Sequence, residues 1–77
     1  MRQKMRITGP ESLGRLIQQS RTSSGQTQTD IAQELGISQR AITEIETGKA
    51  TIQMRRLFDL LKMTGASLSG EWETTDD

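Results

Sequence analysis

Apolar and polar positions change rhythm along this chain, and each rhythm predicts an element. Residues 1–9 open with an alternation, Lys4 and Arg6 against Met5 and Ile7. Period two fits a short strand, and it fits equally well a basic arm without fixed structure. Thr8-Gly9-Pro10 is a turn, and Pro10 suits the first position of a helix. From about Pro10 to Ser23 the period becomes helical, with Leu13, Leu16, Ile17 and Ser20 on one face and Arg15 and Gln18 off it. Thr22-Ser23-Ser24-Gly25 breaks that helix.

The densest signals lie between Gln26 and Lys49. Thr27 and Asp30 have the spacing of a reciprocal N-terminal cap, with Asp in place of the usual Glu. Ile31, Ala32 and Leu35 share a helical face, and Gly36 can take the positive φ that ends the helix. Ile37 is expected to plug back into the core. Ser38 can cap a further helix with buried positions at Ile42 and Ile45, closed by Gly48. Two short helices, a tight turn and an outward second helix make a helix-turn-helix. Gln39, Arg40, Thr43 and Glu44 lie off the buried stripe. Near the start of an exposed helix, Arg can pair with guanine and Gln with adenine through two hydrogen bonds each. An ordinary solvated face would also be polar; the surrounding pattern favours the reading of bases.

A fourth helix is expected from about Ile52 to Met63, capped by Thr51. Met54, Leu57, Phe58, Leu60 and Leu61 give it an apolar face broader than a small monomer needs, which points to a partner surface as well as core closure. Gly65 ends it. Residues 66–73 alternate again, with Leu68 and Trp72 on one face and Gly70 between them. A lone strand is unstable and needs a mate, either the strand at residues 4–7 or its own copy in a second subunit. Trp72 is the only Trp; contact with a second subunit ranks ahead of a binding anchor. Residues 74–77 are expected to be disordered.

Composition narrows the function. At 77 residues the chain is one small domain, for which oligomerisation is a ready source of stability. It has no Cys and no His, hence no disulfide framework, no thiolate metal site and no imidazole base. No cofactor is implied, and the scattered acids without a glycine-rich phosphate loop argue against an enzyme. No apolar run can span a bilayer and no signal-peptide core follows Met1, so a soluble, cytoplasmic chain is expected, with no membrane partner. Net charge is zero but unevenly placed. Residues 1–62 hold all ten Lys and Arg and six acids, a net of +4, and residues 63–77 hold the other four acids. A weakly basic body with an acidic tail is compatible with DNA.

Thr27-Gln28, Ile31-Ala32, Leu35-Gly36-Ile37-Ser38, Ile42, Ile45-Glu46 and Gly48-Lys49 together resemble the XRE family of phage-repressor-like (lambda-repressor-like) helix-turn-helix proteins, over about Leu13 to Gly65. Three features are similar to HipB-type antitoxins, the partners of HipA-like serine/threonine kinase toxins. Pro10 lies eighteen residues before Gln28, the fourth helix leads straight into the Leu68-Ser69 segment, and the chain stops soon after. The resemblance implies a mostly α, four-helix domain at residues 10–65 with a short C-terminal strand that pairs between two subunits. It further implies a dimeric repressor on an inverted-repeat operator of double-stranded DNA, in the bacterial nucleoid. A HipA-like toxin would be a partner, a third component is conceivable, and the alternative is a stand-alone repressor. Carried over by position, Gln28 contacts a phosphate or outer base. Ser38, Gln39, Arg40 and Thr43 face the major groove, and Lys49 contacts the backbone. Arg21 and Glu46 form a buried salt bridge. Phe58, Leu61, Leu68 and Trp72 are the candidate dimer or partner contacts. Two departures stand out. Gln26 occupies a position that is usually apolar, which suggests a loosely anchored loop. Glu44 on the reading face meets repulsion from phosphate unless it accepts from a cytosine.

Overall fold

Both ends of the chain meet in one antiparallel ladder. In the computed structural model, which describes residues 1–74, β1 (Arg2–Ile7) pairs with β2 (Leu68–Glu73) in a register running from Arg2↔Glu73 to Ile7↔Leu68. Between them lie α1 (Pro10–Ser23), α2 (Gln28–Leu35), α3 (Gln39–Glu46) and α4 (Ile52–Met63). The architecture is four helices with a two-stranded sheet, so the expected lone C-terminal strand finds its mate within the same chain. The pairing continues past the strands. The Thr74 backbone N–H and Oγ1 donate to the Met1 carbonyl at 2.8 and 2.9 Å, and the Met1 amino group donates to the Thr74 carbonyl at 3.1 Å. Thr74 thus extends the pairing by one residue; the rest of the tail expected to be disordered, residues 75–77, lies outside the described residues.

The pleat sorts the sheet into two faces. Gln3, Met5 and Ile7 share the inner face with Leu68, Gly70 and Trp72. Gly70 belongs there because Leu16 of α1 occupies the space its Cβ would take. Trp72 is half-buried, opposite Gln3 across the ladder, and borders a shallow hollow with Gln18, Gln19 and Thr22 of α1. The register thus turns Trp72 toward its own α1. The outer face carries Arg2, Lys4 and Arg6 on one strand and Ser69, Glu71 and Glu73 on the other. Arg2 pairs with Glu71 at 3.4 Å and with Glu73 at 3.1 Å. Two of the four acids of residues 63–77 are thereby matched to the basic arm. These exposed pairs contribute little stability but favour this pairing of strands.

Local hydrogen bonds set the helix ends. Ser12 of α1 is buried, and its Oγ accepts from the Thr8 and Gly9 backbone N–H groups at 2.8 and 3.2 Å. At α2, Asp30 N–H donates to Thr27 Oγ1 and Thr27 N–H donates to Asp30 Oδ2, both at 3.0 Å. Ser38 accepts from Ala41 N–H at 3.1 Å and Thr51 from Met54 N–H at 3.2 Å. Gly36 closes α2 in the left-handed region at φ 69°.

The core is small. Ile7, Ala32, Ile42 and Phe58 are its buried apolar residues, and α1 meets α3 most closely at Gly14. A Cβ at Gly14 would stand 2.5 Å from the Ile45 carbonyl oxygen and 2.6 Å from that of Glu46. Two expected core residues are not there. Ile37 is 41% exposed and Ile45 40%. The inward stripe of α3 runs from Ile42 to Glu46 instead, because Glu46 turns in to meet Arg21 of α1. The turn after Gly36 leaves Ile37 at the rim of a cavity of about 360 Å³ with Ile17, Leu35 and Ile45. α4 uses only part of its apolar face. Phe58 is buried, but Leu57 and Leu60 are 54% and 57% exposed. They line a groove of about 540 Å³ with Leu13, Met54, Leu61 and Leu68.

Gly14→Ala should destabilise the fold by about 1–3 kcal/mol through overpacking, despite the better helix propensity of alanine. Gly9→Ala should be nearly neutral, since Gly9 has extended backbone and no atom within 4 Å of a Cβ. Urea unfolding of both variants at one protein concentration checks this.

Candidate nucleic-acid interface

One buried carboxylate joins three helices. The Glu46 side chain is 2% exposed. Arg21 of α1 donates to it twice, from Nε to Oε2 at 2.6 Å and from Nη2 to Oε1 at 3.1 Å. Gln28 of α2 adds a third bond, Nε2 to Oε1 at 2.9 Å. The Arg21 hydrogen bonds hold the Glu46 carboxyl below the usual glutamate value against the opposing effect of burial, with Gln28 assisting. The pair also raises Arg21. The third nitrogen of Arg21, Nη1, donates to the Gln26 carbonyl at 2.9 Å, and Ser24 Oγ donates to Gln26 Oε1 at 2.9 Å. The loop before α2 is thus anchored through polar bonds where an apolar residue was missing.

Gln28 carries this network to the surface. Its Oε1 accepts from Thr43 Oγ1 at 3.0 Å and from Gln39 Nε2 at 3.3 Å, while Thr29 Oγ1 reaches Gln39 Oε1 at 3.5 Å. Gln28, Gln39 and Thr43 therefore form one connected polar patch across α2 and α3. A bidentate grip of Gln39 on adenine requires it to exchange both contacts. Thr29 joins the patch without a sequence signal beyond its polarity.

A second group surrounds Glu44. Its Oε2 accepts from Lys49 Nζ at 3.1 Å and pairs with Arg40 Nε at 3.5 Å, one helical turn back. Lys49, and to a smaller extent Arg40, hold the Glu44 carboxyl below its usual range. Arg40 is the most exposed of the three, at 84%. Ser38 stands apart from both groups with its Oγ engaged in capping α3. The four apolar contact candidates separate as well. Phe58 is buried in the chain's own core yet also lines the α4 groove with Leu61 and Leu68, whereas Trp72 borders the hollow beside α1.

The helix-turn-helix domain family matches this chain over residues 12–71, from the first turn of α1 into β2. The chain belongs to that family. No curated protein and no solved structure matches it. Membership fits the XRE-like reading of the motif and points to DNA as a partner of this helix-turn-helix protein. Among the described residues no helix is long and apolar enough to cross a membrane.

Removing either member of the Arg21–Glu46 pair alone, by Arg21→Met or Glu46→Gln, should cost roughly 3–5 kcal/mol, since an uncompensated or poorly satisfied group stays buried. The double variant Arg21→Met/Glu46→Leu should lose much less. Because the folded carboxyl titrates below the ordinary value of 4.5, its contribution is complete above that pH and drains away as the pH falls through the folded value. Acid unfolding monitored by circular dichroism should be less steep in the double variant.

Proposed function

We propose that this helix-turn-helix protein is a dimeric, sequence-specific transcriptional repressor. The observation that carries the reading is the polar face of Gln28, Gln39, Arg40 and Thr43 on α2 and α3 of a family-matched domain. Arg40 reads a guanine, and Gln39 with Thr43 reads the adjoining bases once Gln39 releases Gln28 and Thr29. Ser38 and the start of α3 face phosphate, as does Lys49. Two such helices enter successive major grooves, so the operator is an inverted repeat with half-sites about one helical turn apart.

The dimer rests on the α4 groove. Leu57 and Leu60 stay exposed in the isolated chain, and Leu68 makes the groove continuous with β2, whose outer edge is unpaired among the described residues. Helix packing and strand pairing then act together across the two-fold axis. The likeness to HipB-type antitoxins supports a finer assignment, in which this repressor binds its own operator with a HipA-like kinase toxin. A stand-alone repressor is the competing assignment.

Titration of labelled DNA from upstream of the protein's own gene, at two salt concentrations, with and without the neighbouring gene product, tests these readings. Salt-sensitive binding that the neighbour strengthens supports the antitoxin; binding indifferent to it leaves the stand-alone repressor. Binding no tighter than to random DNA would sink the autoregulatory reading. Arg40→Ala should weaken operator binding by roughly 1–3 kcal/mol and relax preference at one base pair. Leu60→Glu should yield monomers in sedimentation equilibrium and weaken operator binding in parallel. A Leu60→Glu dimer would place the interface elsewhere.

A further inference from the structure

Resting on the DNA-binding reading above, we infer that Glu44 is a specificity-determining residue that restrains Arg40 and Lys49 from DNA lacking the operator sequence. The geometry is a cation–carboxylate–cation cluster on the reading face. One oxygen, Glu44 Oε2, lies 3.1 Å from Lys49 Nζ and 3.5 Å from Arg40 Nε. Neither cation has another ion pair among the described residues. Both cations are largely exposed, whereas Glu44 is half-buried between them.

Binding to random DNA depends on how many phosphates the cations neutralise. A carboxylate between two of the few cations on this face cancels part of that attraction on every encounter. The cluster remains reversible, because exposed ion pairs are weak and a phosphate or guanine can displace Glu44. Displacement leaves the Glu44 carboxylate facing DNA. That cost is largest on random DNA, where both cations must leave Glu44 for phosphate; at the operator Arg40 can grip guanine through its two Nη groups and keep Nε on Glu44, so the cost there is smaller. Glu44 is thereby a repulsive element that widens the gap between operator and random sites while lowering both affinities. The depressed carboxyl of Glu44 keeps it charged throughout the neutral range.

The test uses anisotropy titrations of the full chain with two labelled duplexes of about 20 base pairs. One is of random sequence and the other is enriched from a randomised pool by the unaltered protein. Glu44→Gln, and Glu44→Ala in case glutamine still accepts from Lys49, should bind the random duplex about three- to tenfold tighter with a steeper salt dependence. The gain on the enriched duplex should be smaller, so discrimination falls. Glu34→Gln removes the same charge from α2, outside the cluster, and should change little. In a Lys49→Gln background the gain from changing Glu44 should shrink. Three results would overturn the inference: unchanged affinity for random DNA, an equal gain from Glu34→Gln, or a loss confined to the enriched duplex, which would mean that Glu44 reads a base. If the unaltered protein bound neither duplex, the DNA-binding reading itself would fail, and this inference with it.

Discussion

The Glu46 carboxylate is the constraint on which the arrangement of helices depends. A charge with 2% of its side chain exposed cannot stay ionised without partners, and it has three hydrogen bonds from two other helices. Meeting that requirement fixes α1 against α3 at the level of Gly14, where backbone lies against helix with no side chain between them. It also fixes α2 against α3, since Gln28 must reach both Glu46 and the outer residues Gln39 and Thr43. Displacing Ile45 to the rim follows from the same demand. With so few apolar residues buried, these directional bonds set helix geometry that dispersion alone would leave loose.

The local features were the legible ones. Thr27, Ser38 and Thr51 announce helix starts because a side-chain oxygen satisfies a backbone N–H three residues on. Gly36 announces a helix end because its φ is costly for any other residue. Such bonds are written within four residues of sequence. Gly14 and Gly70 were not legible, since what matters there is an approach by a distant segment, visible only as a missing side chain. The apolar character of Ile37 and Ile45 misled for the opposite reason: period predicts which face turns inward, not whether enough neighbours exist to cover it. Arg21 and Glu46 lie 25 residues apart, a separation that no local rule connects, and they came into view only through likeness to a family.

The candidate interface was partly legible in the same sense. Residue types near the start of α3 are readable from the sequence, whereas their engagement with one another is not. Gln39 is occupied at both ends by α2, and Arg40 shares a carboxylate with Lys49. In the free protein the candidate interface is thus internally bonded, and recognition through it would be an exchange of partners. Charge distribution needs the same correction. The acidic stretch near the C-terminus and the basic N-terminal arm look like separate electrostatic features along the chain, yet Arg2 pairs with both Glu71 and Glu73, and the Met1 amino group with Glu73, across the same ladder.

The ladder between β1 and β2 has a kinetic consequence. The helical contacts close loops of a few tens of residues, but each rung of the sheet joins positions separated by most of the described chain. Closing so long a loop costs more entropy, and its reward arrives only once Leu16 is in place to receive Gly70. This favours an order of assembly in which the helices serve as template and the two ends are stitched last. Fraying would uncover Ile7, Leu68 and Trp72 while leaving the Arg21–Glu46–Gln28 network closed, so the sheet is a separable clasp over a helical unit whose polar lock lies elsewhere.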